Sequence, residues 1–139
     1  LFTPYSADSS DTTYHIWYGH MSDANANNLD VDDTTSYGPE TMTINHLGSG
    51  LYKYYVADYT HCSSGDPASY AMSESDATVS VYTNLGLVAS FHVPANRSGV
   101  IWEVFEINNM QIIPIQRYYN NITDKPRWNQ QKQAEYTRI

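Results

Sequence analysis

Apolar and polar side chains alternate with a period of two over short runs along most of this chain, the period of a strand and not of a helix. The runs are YHIWY (14–18), ETMTI (40–44), LYKYYVADY (51–59), ATVSVY (77–82), LVASFHV (87–93), VIWEVFEI (100–107) and MQIIPI (110–115). Each is rich in β-branched or aromatic residues and is bounded by turn chemistry: LGSG before Leu51, NLG at 84–86, PANRSG at 94–99 and NN at 108–109. In ATVSVY, Ala77, Val79 and Val81 fall on one face and Thr78, Ser80 and Tyr82 on the other. VIWEVFEI is apolar on both faces, which predicts a strand covered on both sides. Seven short strands joined by tight turns predict an all-β fold, an antiparallel β-sandwich. Only the last segment, DKPRWNQQKQAEYTRI (124–139), reads two ways. Asp124 as cap and Pro126 in a first turn would open a helix, whereas the closing AEYTRI suits a short strand.

Length and composition narrow this picture. With 139 residues the chain suits a single core, which we place in residues 1–119, with 120–139 as an extension. Thirteen tyrosines against three phenylalanines fit strands with half-wet aromatic faces. No apolar run reaches membrane-spanning length and no signal-peptide pattern is present, so no membrane insertion is expected. A start at Leu1 in place of Met leads us to expect a processed or cut chain. The single cysteine, Cys62, excludes an internal disulfide.

The net charge of −8 makes nucleic acid a poor partner. That charge is uneven. Residues 1–115 carry 13 acidic side chains against Lys53 and Arg97, whereas residues 116–139 carry five basic side chains against Asp124 and Glu135. An acidic body with a basic tail invites contact of tail with body, within or between molecules. In the tail, Trp128, Tyr136, Arg138 and Ile139 are the expected partner-binding residues.

Asp30, Asp32, Asp33 and Glu40 form the densest acidic run. It can be read as a tight turn, capped by Asp33 and Thr34 and fixed by Gly38 and Pro39. It can also be read as a calcium site built on those four carboxylates. Calcium takes six to eight oxygens, so backbone carbonyls or Asp58 would have to contribute. The run lacks the glycine and closing glutamate of an EF-hand loop, and the turn is the simpler reading.

Three stretches together, LDVDDTTSYGPETMTI, GSGLYKYYVADYT and SDATVSVYTNLGLVASFHVPANRSGVIWEVFEINNMQIIPI, resemble a family of bacterial extracellular β-sandwich domains. Its pattern is an LDxDDTxxYGPET motif, a GxYxYxVxDYT strand, an AxVxVY…VAxFxVP hairpin and a GxxWxVFxI…ITPI ending. The match spans about residues 14–115 in order. The resemblance implies an immunoglobulin- or transthyretin-like sandwich, of the carboxypeptidase-regulatory type, in secreted or cell-surface proteins. Family members begin with a further strand ahead of LFTP, which is absent here. A sandwich without that strand has an open edge. The segment AEYTRI is then expected to complete its own sheet or to insert as a donor strand into a neighbour, building a homo-oligomer or fibre.

Catalysis finds little support in the residues. His61 and Cys62 are adjacent and would point to opposite faces of a strand. The five histidines (His15, His20, His46, His61, His92) show no zinc spacing, and no phosphate loop or nucleophile elbow is present. The chain is therefore expected not to be an enzyme. A glycan-binding module is the rival reading, with Tyr14, Trp17, Tyr18, Tyr52, Tyr54 and Tyr55 as candidate platforms; Trp17 and Trp102 are read as core. Asn96 and Asn121 fit the three-residue N-glycosylation pattern, a weak signal.

Overall fold

A strand that is apolar on both faces must be covered on both, and residues 101–107 are all buried in the computed structural model. The structure describes Leu1, Ile16, Gly19, Met21, Ser22 and residues 26–30, 39–58, 60–61 and 68–119. Their elements are β1 (Asn28–Leu29), β2 (Met42–Thr43), β3 (Leu51–Ala57), one helical turn α1 (Ala71–Glu74), β4 (Thr78–Thr83), β5 (Gly86–His92), β6 (Ile101–Asn108) and β7 (Gln111–Tyr119). β1 pairs with β2 and β4 with β5, and β6 lies between β3 and β7. The fold is all-β and sandwich-like, with seven strands in antiparallel sheets, as the alternation predicts.

Six of the expected strands are present. Of the seventh, YHIWY, only Ile16 is described; it is fully buried and exchanges backbone hydrogen bonds of 2.9 Å with Leu1 in both directions. The extension 120–139 lies outside the described residues, and with it the choice between helix and strand.

Three features depart from the expectation. β1 has only two residues and rests on pairing, not propensity: Asn28 stands opposite Thr43 and Leu29 opposite Met42. The buried Asn27 fixes this corner through its Oδ1, which accepts the Asn45 N–H at 3.0 Å. The turn α1 is too short to show a helical period; Ser69 Oγ accepts the Ala71 N–H at its start. β7 continues through Pro114 to Tyr119, with Gln116 at φ 54 breaking its regularity. Proline is tolerated there because β7 stands at the end of the strand order.

Two hairpins carry the turn chemistry read from the sequence. Between β6 and β7, Asn109 and Met110 both have positive φ (47 and 67), the type I′ arrangement that matches strand twist. Between β4 and β5, Gly86 takes φ 107 after Asn84 and Leu85. Val81 then faces Ala89 and Tyr82 faces Leu87, so Val88 is the extra residue of a bulge in β5.

The described residues fall into two compact units, drawn from Leu1–Lys53 and Glu106–Ile113 in the first and from Tyr54–Phe105 and Pro114–Lys125 in the second. In the first, Leu1, Ile16, Leu29, Leu51, Tyr52 and Ile107 are buried together with Lys53 and Glu106. In the second, Met72, Phe91, Val93, Val100, Trp102, Val104 and Phe105 are buried. Phe105 is sandwiched there: its ring stacks on Tyr54 at 5.2 Å and on Phe91 at 5.3 Å. Such contacts add about 0.5–1.5 kcal/mol beyond the area they bury.

Gly99 introduces β6 at φ 150, where a Cβ would meet the Tyr118 side chain and the Tyr119 carbonyl at 3.2 Å. Gly86 has an equally restricted φ but open space around it. Replacing Gly86 with Ala should therefore cost only the backbone term, about 1–2 kcal/mol. Gly99→Ala should cost more, because Tyr118 or the strand must also move. Denaturant midpoints of the two variants check this ordering, and equal losses would contradict it.

Candidate functional site

The acidic run is described only at its two ends. Asp30 Oδ1 accepts the Thr41 N–H at 2.9 Å, and the Asp30 N–H donates to the Thr41 carbonyl at 3.0 Å. Asp30 thus ties the start of the run to the residue before β2; the turn expected at Asp33, Thr34 and Gly38 lies outside the described residues. Glu40 is exposed, and Asp32 and Asp33 lie outside the described residues. Among the described residues no three His, Cys, Asp or Glu side chains are grouped to hold a metal. Trp128, Tyr136, Arg138, Ile139 and Asn121 also lie outside them, whereas Asn96 is exposed in the turn after β5.

Among the described residues, imidazole–carboxylate pairs occur twice, both in the second unit. Asp58 Oδ2 lies 2.6 Å from His61 Nδ1, and its Oδ1 accepts the His61 backbone N–H at 3.2 Å. A carboxylate capping a backbone N–H three residues ahead is local turn chemistry, so the Asp58-x-x-His61 spacing could have announced this pair. It also engages both oxygens of the carboxylate considered above as an extra calcium ligand.

His92, on the exposed face of β5, has its Nε2 2.5 Å from Asp76 Oδ1 and its Nδ1 2.9 Å from the Val93 carbonyl. Both neighbours can accept, an arrangement that favours the doubly protonated ring. Its pKa is raised, chiefly by the hydrogen bond to Asp76, with the Val93 carbonyl helping and desolvation opposing.

The chemistry at the centre of the second unit is a buried carboxylate. Glu103 is fully buried on β6, and its two oxygens accept from two phenols: Oε1 from Tyr55 on β3 at 3.3 Å, Oε2 from Tyr119 on β7 at 2.6 Å. Arg117 Nη1 donates in turn to the Tyr119 oxygen at 3.2 Å. Tyr119 is held well above the ordinary phenol range, first by burial and then by its bond to Glu103. Next to this relay, Trp102 Nε1 donates to Gln116 Oε1 at 2.6 Å, which gives the fully buried indole its partner. The sequence marked Trp102 as core but gave no sign of the Glu103 relay.

The candidate glycan platforms are engaged elsewhere where they are described. Tyr52 is buried and its oxygen accepts the Gly48 N–H at 3.0 Å, Tyr54 stacks on Phe105, and Tyr55 binds Glu103. Half of the exposed large apolar side chains among the described residues gather instead on the β4–β5 hairpin, the others being Leu47, Tyr70, Met110 and Ile113. Leu85 at its tip is 90% exposed, Tyr82 is 68% exposed, and Leu87 and Val88 are also open. Tyr82 and Leu87 stand directly across from one another. Their strand positions were foreseen; the exposure of Leu87 and Val88 was not, because an apolar run reads as core.

No protein-family model, curated protein or solved structure matches this chain.

Two tests follow from these contacts. Removing the Tyr119 hydroxyl (Tyr119→Phe) should destabilise the fold by about 1–2 kcal/mol at neutral pH, the worth of one hydrogen bond from a half-buried phenol to a carboxylate. Because folding raises the Tyr119 pKa, stability linked to it is present below the unfolded value of about 10 and is lost as pH rises beyond it. Thermal melts across the alkaline range should fall more steeply for the parent than for Tyr119→Phe; parallel profiles would contradict the relay. The second test is the His92 ring, which should titrate above about 6.5 by NMR and return toward that value in Asp76→Asn. Its contribution to stability is present below about 6.5 and fades as pH passes the raised folded value, and it is small because the pair is exposed.

Proposed function

We propose that this chain is a non-catalytic structural module of a bacterial secreted or cell-surface protein, acting by contact between folded surfaces and associating with copies of itself. The observation that supports this reading is the open, apolar β4–β5 hairpin on an otherwise strongly acidic chain. Soluble single chains seldom leave contiguous large apolar side chains in water unless another surface covers them. Three of the described carboxylates are used internally: Asp30 bonds the backbone at Thr41, Asp58 caps His61, and Glu103 joins three strands. The extracellular setting rests on the resemblance carried by LDVDDTTSYGPET and the strands after it.

Light scattering on the full chain over a dilution series tests the proposal. The expected result is a mass that rises with concentration above the 15.8 kDa of one chain. A single-chain mass at every concentration would overturn it. A companion chain ending at Thr123 reports which part makes the contact: association retained assigns it to the strands, association lost to the basic tail.

A further inference from the structure

The geometry points to the outer edge of β4 as a self-pairing edge, at which the β4 strands of two copies of this chain join antiparallel into one four-stranded sheet. This deepens the reading just given and rests on it. Three observations converge on that edge and on that occupant.

The first is which edges are open. β4 and β5 form a two-stranded sheet, so among the described residues each has one side unpaired. A strand edge left open presents a row of N–H and C=O groups to any other strand. β7, at the end of its own sheet, is protected by the means proteins use for edges: Pro114, the left-handed break at Gln116 and the charge of Arg117. β5 carries the Val88 bulge, which bends its edge. β4 has none of these. Its sequence TVSVYT is β-branched or aromatic at five of its six positions and contains neither Pro nor Gly.

The second is charge. Residues 77–91 contain no Asp, Glu, Lys or Arg, although the whole chain has a net charge of −8. Two copies repel over most of their surface, and the repulsion is least where the neutral hairpin of one meets the neutral hairpin of the other. A strongly basic or acidic partner would find no complementary charge on these strands. A second copy therefore fits better than a charged ligand.

The third is the face that pairing would extend. Val79 and Val81, opposite Phe91 and Ala89, point inward, and Phe91 is buried against Phe105. Thr78, Ser80 and Tyr82 point outward, opposite His92, Ser90 and Leu87. The inward face is thus already fixed in register by the core, so that added pairing need not reorder the hairpin. An antiparallel match centred on Ser80 would put the two Ser80 residues opposite one another and Thr78 of each copy opposite Tyr82 of the other, so that outward residues meet outward ones. A two-fold axis relates such strands, and the contact closes as a dimer.

Ser80→Lys and Val88→Lys in the full chain, compared with the parent by sedimentation across a dilution series, test this. Lysine on an open edge is a known deterrent to pairing, and both positions are exposed, so the fold should tolerate the changes. Near-ultraviolet circular dichroism like that of the parent verifies this. The expected result is a parent dimer that Ser80→Lys converts to monomer and Val88→Lys leaves in place. In a Cys62→Ser background, Ser80→Cys should also give disulfide-linked dimer on mild oxidation. A parent that associates equally well with Ser80→Lys would overturn the β4 edge but leave the assembly reading standing. Loss of association in Val88→Lys alone would move the contact to β5 and likewise overturn it. A parent that is monomeric throughout would overturn both.

Discussion

A carboxylate with no exposed surface dictates what its neighbours must do. Taking a charge out of water costs several kcal/mol unless donors replace the lost water. Glu103 lies on the strand between β3 and β7, and its oxygens take one phenol from each side. The consequence is geometric as much as energetic. If either outer strand slipped by one residue, its tyrosine would turn to the other face and leave a buried acceptor unpaired. A leucine at the same position would tolerate such a slip far better. The relay therefore favours one register of three strands at once, and Arg117 at its outer end couples it to an exposed positive charge.

The same economy explains why the polar residues do not make an obvious active site. An imidazole beside a carboxylate is the beginning of acid–base chemistry, and there are two such pairs among the described residues. In both, the surroundings are those of a cap or hairpin tie. Asp58 spends its second oxygen on the backbone of His61, and His92 spends its second nitrogen on a carbonyl. A ring whose two nitrogens both face acceptors has no free lone pair aimed at a substrate. What the β4–β5 hairpin leaves open is apolar area and strand edge, both suited to association.

How far the sequence announced this depends on the length of the signal. β6 could be read because its apolar residues fill both faces, and β4 because Val79 and Val81 alternate with Thr78, Ser80 and Tyr82 over a full strand. β1 and α1 could not, since two and four residues carry no period; they exist through pairing at Asn28 and Leu29 and through the Ser69 hydroxyl. The Glu103 relay was hidden for a different reason. Tyr55, Glu103 and Tyr119 are far apart in sequence, and an alternating pattern gives the face of a residue but not its opposite number on another strand. Of the acidic run, Asp30 stood in the sequence only as a calcium candidate; its bond to the Thr41 N–H spans eleven residues, which no local pattern announces.

The balance between core and surface on the hairpin is what makes association through it physically reasonable. Phe91 anchors β5 in the core, yet Leu87, four residues earlier on the same strand, is open to water. In a strand of strict period two these would share a face; the extra residue at Val88 shifts the phase between them. One bulge thus keeps Phe91 inside and turns Leu87 to the side of Tyr82. It also bends β5 and leaves the unbulged β4 as the straighter edge. A device that commonly guards an edge against pairing has been placed on one strand of the hairpin only. Selective protection of this kind is what a chain needs if it is to meet its own copy along one line and stop there.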